Sequence, residues 1–227
     1  MAEVSGNVIG NVKGKLGNLS ARVRNGKTYL GARPSSFKVS NDPKSKKVRG
    51  CFKVSVDLAK TIIALPTLEE LWRRIKPKGM SVFNLLVKEN FDSASEQEPT
   101  ADNVISPEGF SLPVTASAVT ADDLTFELAA LNSAGVFESN EKDLSLNAII
   151  VYKNPSDPED EPYGIVRFAK EESGFDFTKV YSGSFSLNVL QKALAAKYQD
   201  KIIYLAVATK TSGGEIIQCS STYGKEI

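Results

Sequence analysis

Between residues 19 and 33 apolar and polar positions alternate with a period of two, which a strand produces and a helix does not. Leu19, Ala21 and Val23, then Tyr29 and Gly31, fall on one side of this pattern; Ser20, Arg22, Arg24, Thr28 and Leu30 fall on the other. Asn25-Gly26 separates the two runs. An Asn-Gly pair between alternating segments predicts a two-residue hairpin, because both turn positions must accept positive φ. Arg33-Pro34-Ser35-Ser36 ends the second strand.

After Asp42-Pro43 the period lengthens to that of a helix, with Asp42 placed as N-cap and Pro43 at the first helical position. Val48, Phe52, Val56, Ala59 and Ile63 share one face and predict a helix over 44–65, although Gly50 and the β-branched residues weaken its propensity. Pro66 ends it. Thr67 and Glu70 form a capping-box pattern for a short helix reaching Ile75. Pro77-Lys78-Gly79 breaks the chain again, and Ser81 caps a third helix to Asn90 whose apolar face is Val82, Phe83, Leu86 and Val87.

Residues 92–107 are polar, acidic and ended by Pro107, the composition of a linker. Beyond them the chain changes character. Phe110–Val119 and Leu124–Leu131 alternate and predict a hairpin, and five more runs are rich in β-branched and aromatic residues: Leu146–Tyr152, Tyr163–Phe168, Phe177–Leu187, Ile202–Thr209 and Glu215–Ser221. Only Val189–Tyr198 reads as a short helix or turn. Some seven strands at regular spacing predict a β-sandwich of the immunoglobulin or fibronectin type, without the disulfide of antibody domains. The expected class is α+β: a glycine-rich arm and β-hairpin over 1–41, helices over 42–91, a linker over 92–107 and a sandwich over 108–227.

Charge sharpens this division. The 28 Lys and Arg nearly balance the 27 Asp and Glu, but residues 1–90 hold 18 basic against 6 acidic residues and residues 91–227 hold 10 against 21. Opposite signs in the two halves favour association within a chain or between copies, and say nothing about fold. Composition otherwise fits a soluble globular protein. Cys51 and Cys219, each among apolar neighbours, read as buried free thiols, with a disulfide between them as the alternative. The first residues lack an apolar signal segment and runs such as Ile202–Val207 are far shorter than the ~20 residues that cross a bilayer, so the expectation is a protein kept in the cytoplasm or in a particle assembled there.

The chain has no histidine, which removes the commonest general base and the Ser-His and Cys-His nucleophile pairs. A non-enzymatic role is expected, and no cofactor is implied. Gly10, Gly14 and Gly17 with Lys13 and Lys15 resemble a phosphate loop only loosely, since the Lys-Ser/Thr step at a helix start is missing. Asp157–Glu161 and Asp122-Asp123 lack calcium-loop spacing and read as solvated turns. The basic run Lys38, Lys44, Lys46, Lys47, Arg49 and Lys53 puts cations at a helix N-terminus, where the dipole disfavours them. An acidic partner offsets that: the acidic half of another subunit first, nucleic acid second.

The segments "GKLGNLSARVRNGKTYLGARP", "LEELWRRI", "SVFNLLVKENF", "NAIIVYKNP" and "DKIIYLAVATKTSGGEIIQCSSTYG" together resemble a family of uncharacterised proteins from Bacteroidetes bacteria and their phages, a domain of unknown function. The likeness spans nearly the whole chain. It departs at Ala21-Arg22-Val23, where the family often carries an aromatic residue. The resemblance implies a phage or prophage setting, a virion protein of a crAss-like phage among the readings it allows, and carries over no catalytic residue.

Together these features lead to the expectation of a structural component of a tailed-phage virion: an auxiliary capsid protein, or failing that a neck or tail ring protein. Lys13, Lys15, Arg22, Arg24, Lys27, Tyr29, Arg33, Lys46, Lys47 and Arg49 are the candidate residues for docking on other virion proteins and on copies of the same chain. Two alternatives stand beside it, a surface module whose sandwich loops recognise carbohydrate or protein, and a DNA-binding packaging accessory protein. No membrane partner is expected.

Overall fold

The computed structural model describes residues 2–4, 13–24, 26–34, 36 and 38–227. The chain divides into two compact units, residues 1–45 and 46–227.

The first unit is an antiparallel sheet of β1 (Ala2–Val4), β2 (Gly14–Leu16), β3 (Leu19–Arg24) and β4 (Lys27–Ala32), in the order β1-β4-β3-β2. Of the glycine-rich arm expected here, residues 5–12 lie outside the described residues, and much of the rest is strand rather than arm. β3 and β4 form the hairpin, closing at Arg24 opposite Lys27 with Gly26 at φ 77°. Asn25, the other turn residue of that reading, also lies outside the described residues. The register corrects the expected faces. Arg22 stands opposite Tyr29 and Val23 opposite Thr28, so Tyr29 shares the face of the arginines, not that of Ala21. A two-residue turn carries even positions of one strand onto odd positions of the next. On the other face Ala21 is buried.

In the second unit three helices precede the strands: α1 (Pro43–Ile63, beginning at the end of the first unit), α2 (Pro66–Ile75) and α3 (Val82–Phe91). Asp42 accepts from the Ser45 amide at 3.2 Å, as its N-cap position requires. Ser81 caps α3 by accepting from Asn84 N. The capping box of α2 does not form. Pro66 opens that helix instead of merely ending α1, and Leu65 occupies the cap. Thr67 Oγ1 is thereby free to meet Ser145 Oγ at 3.0 Å and Lys210 Nζ at 3.1 Å, while Glu70 pairs with Arg73 and Arg74.

The remaining elements are β5 (Val114–Val119), β6 (Asp123–Leu128), β7 (Glu141–Pro155), β8 (Tyr163–Glu172), β9 (Tyr181–Ser186), α4 (Val189–Ala195), β10 (Tyr198–Thr211), β11 (Ile216–Cys219) and β12 (Tyr223–Glu226). β8, β7 and β10 pair in that order, and β11 and β12 share the far edge of β10; β5, β6 and β9 form a second sheet. All of these pairings are antiparallel.

The larger sheet is buried on both faces. Ile149, Val151, Ile202, Tyr204, Ala206 and Ala208 pack under the helices with Leu58, Ile62, Leu68 and Leu86. The alternate positions Leu146, Ala148, Ile150, Ile203, Leu205 and Val207 pack against Leu124, Phe126, Leu128 and Phe185 of the smaller sheet. Double burial explains the unbroken apolar runs of β7 and β10, since neither face needs polar residues. The result is mixed α+β with three antiparallel sheets.

Residues 92–107 are not a linker. Asn90, fully buried, donates to Leu86 O and Val104 O and accepts from Val104 N and Asn103 Nδ2. Trp72 Nε1 donates to Ile105 O at 2.9 Å, and the amides of Ile105 and Ser106 donate to Thr222 Oγ1. The polar composition of this stretch satisfies buried backbone groups and stitches the helices to the edge of the sheet. Cys51 and Cys219 are free and buried, and burial pushes the Cys219 thiol upward.

Candidate functional site

The register of the first unit gathers several of the candidate docking residues. Lys15 lies opposite Ser20, Arg22 opposite Tyr29 and Arg24 opposite Lys27. Residues opposed across antiparallel strands point to the same face, so Lys15, Arg22, Arg24 and Lys27 surround Tyr29 on one side of the sheet. The four cations are exposed and Tyr29 is half-buried. Lys13 precedes β2, and Arg33 follows β4, with its amide bonded to Asn18 O at 2.7 Å; both are exposed. Among the described residues Lys15, Arg22, Arg24 and Arg33 have no ion-pair partner.

Lys46, Lys47 and Arg49 fall in the second unit, on the opening turns of α1. All three are exposed, and no acidic residue occupies the first turn. Beside them Val48 and Phe52, one turn apart, are 55% and 52% exposed. The spacing predicts Phe52 on the apolar face of this helix, but the face that packs is Cys51, Val54, Leu58 and Ile62.

The acidic loops are engaged by ion pairs and by a backbone hydrogen bond. Asp160 meets Lys197 Nζ at 2.6 Å, Glu161 lies 3.8 Å from Lys53 Nζ, Asp157 accepts from the Glu159 amide, and Asp122 pairs with Lys192. No group of three or more His, Cys, Asp or Glu is placed to hold a metal among the described residues.

A second feature escapes the sequence pattern. The loop after β6 and the loop between β8 and β9 enclose an open cavity of about 640 Å³, with Phe137, Phe175 and Phe177 in its wall. Phe137 and Phe177 stack at 4.7 Å between centroids, and Phe175 meets Phe177 edge-on at 5.1 Å. Glu138, Glu141, Asp176 and Lys142 also line it. Glu141 is buried and accepts from Gln218 Nε2 and the Glu138 amide. Hydrogen bonds from Lys179 and Thr178 hold the Asp176 carboxyl at a pKa of about 2. The signal in the sequence was Gly174-Phe175-Asp176-Phe177, but its partner Phe137 lies nearly forty residues earlier.

No protein-family model matches the chain, and neither does any curated protein. Among solved structures, a β-glucosidase from Kluyveromyces marxianus matches with a TM-score of 0.20 and 13% identity over 61% of this chain. Its complex with glucose matches with a TM-score of 0.21 and 13% identity over 66%. The chain spans only 16% and 19% of the length of those structures. At such scores neither the fold nor the activity of that enzyme transfers to this chain. No helix among the described residues is long and apolar enough to cross a membrane.

Proposed function

We propose that this protein is a non-enzymatic structural component of a tailed-phage virion, an auxiliary capsid protein or a neck or tail ring protein, that docks on neighbouring subunits through the basic face of its N-terminal sheet. The observation that carries the docking is the clustering of Lys15, Arg22, Arg24 and Lys27 around Tyr29 on one exposed face. Such a face recruits an acidic surface, and residues 91–227 of the same chain hold 21 acidic residues against 10 basic ones. The phage setting rests on the resemblance of the sequence motifs. In this reading the paired sheets of the second unit form an immunoglobulin- or fibronectin-like module turned outward from the particle.

Two measurements test it. Mass spectrometry of purified virions should find the chain at fixed stoichiometry, hundreds of copies for a capsid component or about a dozen for a ring; its absence sinks the virion reading. Arg22→Glu/Arg24→Glu should abolish capture of subunits with no change in melting temperature, because both residues are exposed. A second reading draws on the same face: an aromatic ring among cations on an open sheet also suits stacking with single-stranded nucleic acid. Filter binding at about 150 mM salt with a steep salt slope would favour it.

A further inference from the structure

We infer that the phenylalanine-walled cavity between residues 132–138 and 174–178 receives basic side chains from the N-terminal sheet of a second copy, so that copies join head to tail. This inference rests on the docking reading above and names the surface on which the docking ends.

The cavity's chemistry selects a cation. Phe137 and Phe177 cover one face of each other by stacking, and the ring faces that this stack leaves toward the cavity carry the negative side of the quadrupole, to which a guanidinium or ammonium is drawn. Glu138 stands on the wall exposed, and its carboxylate makes no hydrogen bond or ion pair among the described residues. The other charges there are accounted for: Glu141 is held by Gln218, and Asp176 by Lys179. Lys142 is the one cation among the lining residues, so an incoming basic group meets three carboxylates, that of Glu138 unpaired, against a single ammonium. An anionic strand of nucleic acid would meet the opposite. At about 640 Å³ the space suits more than one long side chain, and Val136 at its lip is 91% exposed, leaving the entrance open.

The complement is on the same chain. Residues 1–45 carry eight Lys and Arg against two Asp and Glu, and Arg22 and Arg24 project two positions apart from one strand. A basic face on one unit and a different, acidic and aromatic cavity on the other make a heterologous interface. Such an interface uses different surfaces on the two copies, so each copy can bind one neighbour through its basic face and another through its cavity, as a ring or filament requires.

The experiment uses full-length chains carrying two different tags, mixed at about 50 mM salt where surface charges are least screened. Wild-type copies should associate and sediment as species larger than the monomer. Glu138→Lys and Arg22→Glu/Arg24→Glu should each weaken self-association at least about tenfold with melting temperature unchanged. Mixing the two variants should restore a complex, because one still offers an intact cavity and the other an intact basic face. Association that survives Glu138→Lys but not Arg22→Glu/Arg24→Glu would overturn the cavity and leave the docking reading standing. Survival of both changes would overturn both, and a wild-type chain that stays monomeric overturns the head-to-tail assembly.

Discussion

Arg22 and Tyr29 are direct cross-strand partners in the β3–β4 hairpin, which puts the guanidinium and the phenol on one face with Arg24 and Lys27. In the proposed docking the attraction is between exposed charges, so it is screened by salt: the Debye length falls from ~10 Å at 0.1 M to ~3 Å at 1 M. Self-association should therefore weaken at least about tenfold between 0.05 and 0.5 M salt, measured by analytical ultracentrifugation. Association that holds constant across that range would point to an apolar contact, with Val48 and Phe52 of α1 as the exposed pair to examine.

The position of Tyr29 also shows what a local pattern leaves undetermined. Alternation predicts β3 and β4, and Asn25-Gly26 predicts a turn between them, but each strand's own pattern sets its faces independently of the other. Only the turn length couples them, through the pairing of Arg24 with Lys27. In the second unit the runs around Ile149 and Leu205 were legible as strands because both faces are buried. β12 was not, since Tyr223–Glu226 is short and polar and is a strand only because Ile202–Leu205 pairs with it. Residues 92–107 misled through composition: Asn103 and Ser106 look solvated, yet are buried as hydrogen-bonding partners. The Phe137 cavity needs two loops distant in sequence, so no local pattern could announce it.

Trp72, the only tryptophan, is 3% exposed and gives its indole N–H to Ile105 O. Trp72→Phe keeps a ring in the core but leaves that buried carbonyl without its donor. The expected loss is about 1–3 kcal/mol, read from urea unfolding followed by circular dichroism. Limited proteolysis of the native protein should spare residues 92–107 and begin to cut there in the variant. Rapid native cleavage in that stretch would mean the segment is not held as described.

Tyr152 is fully buried with its hydroxyl unpartnered, and burial pushes its pKa from 10.0 up to about 12. Burial also raises Tyr163, Tyr181 and Tyr204. Because the folded state holds these protons more tightly than the unfolded state, their contribution is complete below the unfolded pKa near 10. It is lost as pH climbs toward the folded values. Thermal stability should be flat across neutral pH and fall from about pH 10 upward. Tyr152→Phe removes an unsatisfied polar atom, so it should be neutral or stabilising at pH 7 and should flatten the fall between pH 10 and 12. A variant clearly less stable at neutral pH would show that the hydroxyl has a partner.

Gly50 sets two physical effects against each other. It lies inside α1, where helix propensity alone makes Gly→Ala favourable by about 1 kcal/mol. A Cβ at this position would clash with Glu96 O and sit 2.9 Å from Glu96 Cα, and these are backbone atoms that no rotamer change can move. The helix meets the 92–107 segment here, next to Cys51 Sγ, which donates to Ala94 O at 3.4 Å. Separation of the two backbones would disturb that contact and the anchoring that Ala94 N makes to Asn90 O. The clash should win, with a cost of about 1–3 kcal/mol as for overpacked cores, measured by chemical denaturation. Ala at the exposed helical position Lys47 serves as the control, where propensity alone acts and the change should stay within about 0.5 kcal/mol. A Gly50→Ala protein more stable than the parent would mean that the segment does not lie against α1, and the correction of residues 92–107 from linker to packed element would fall with it.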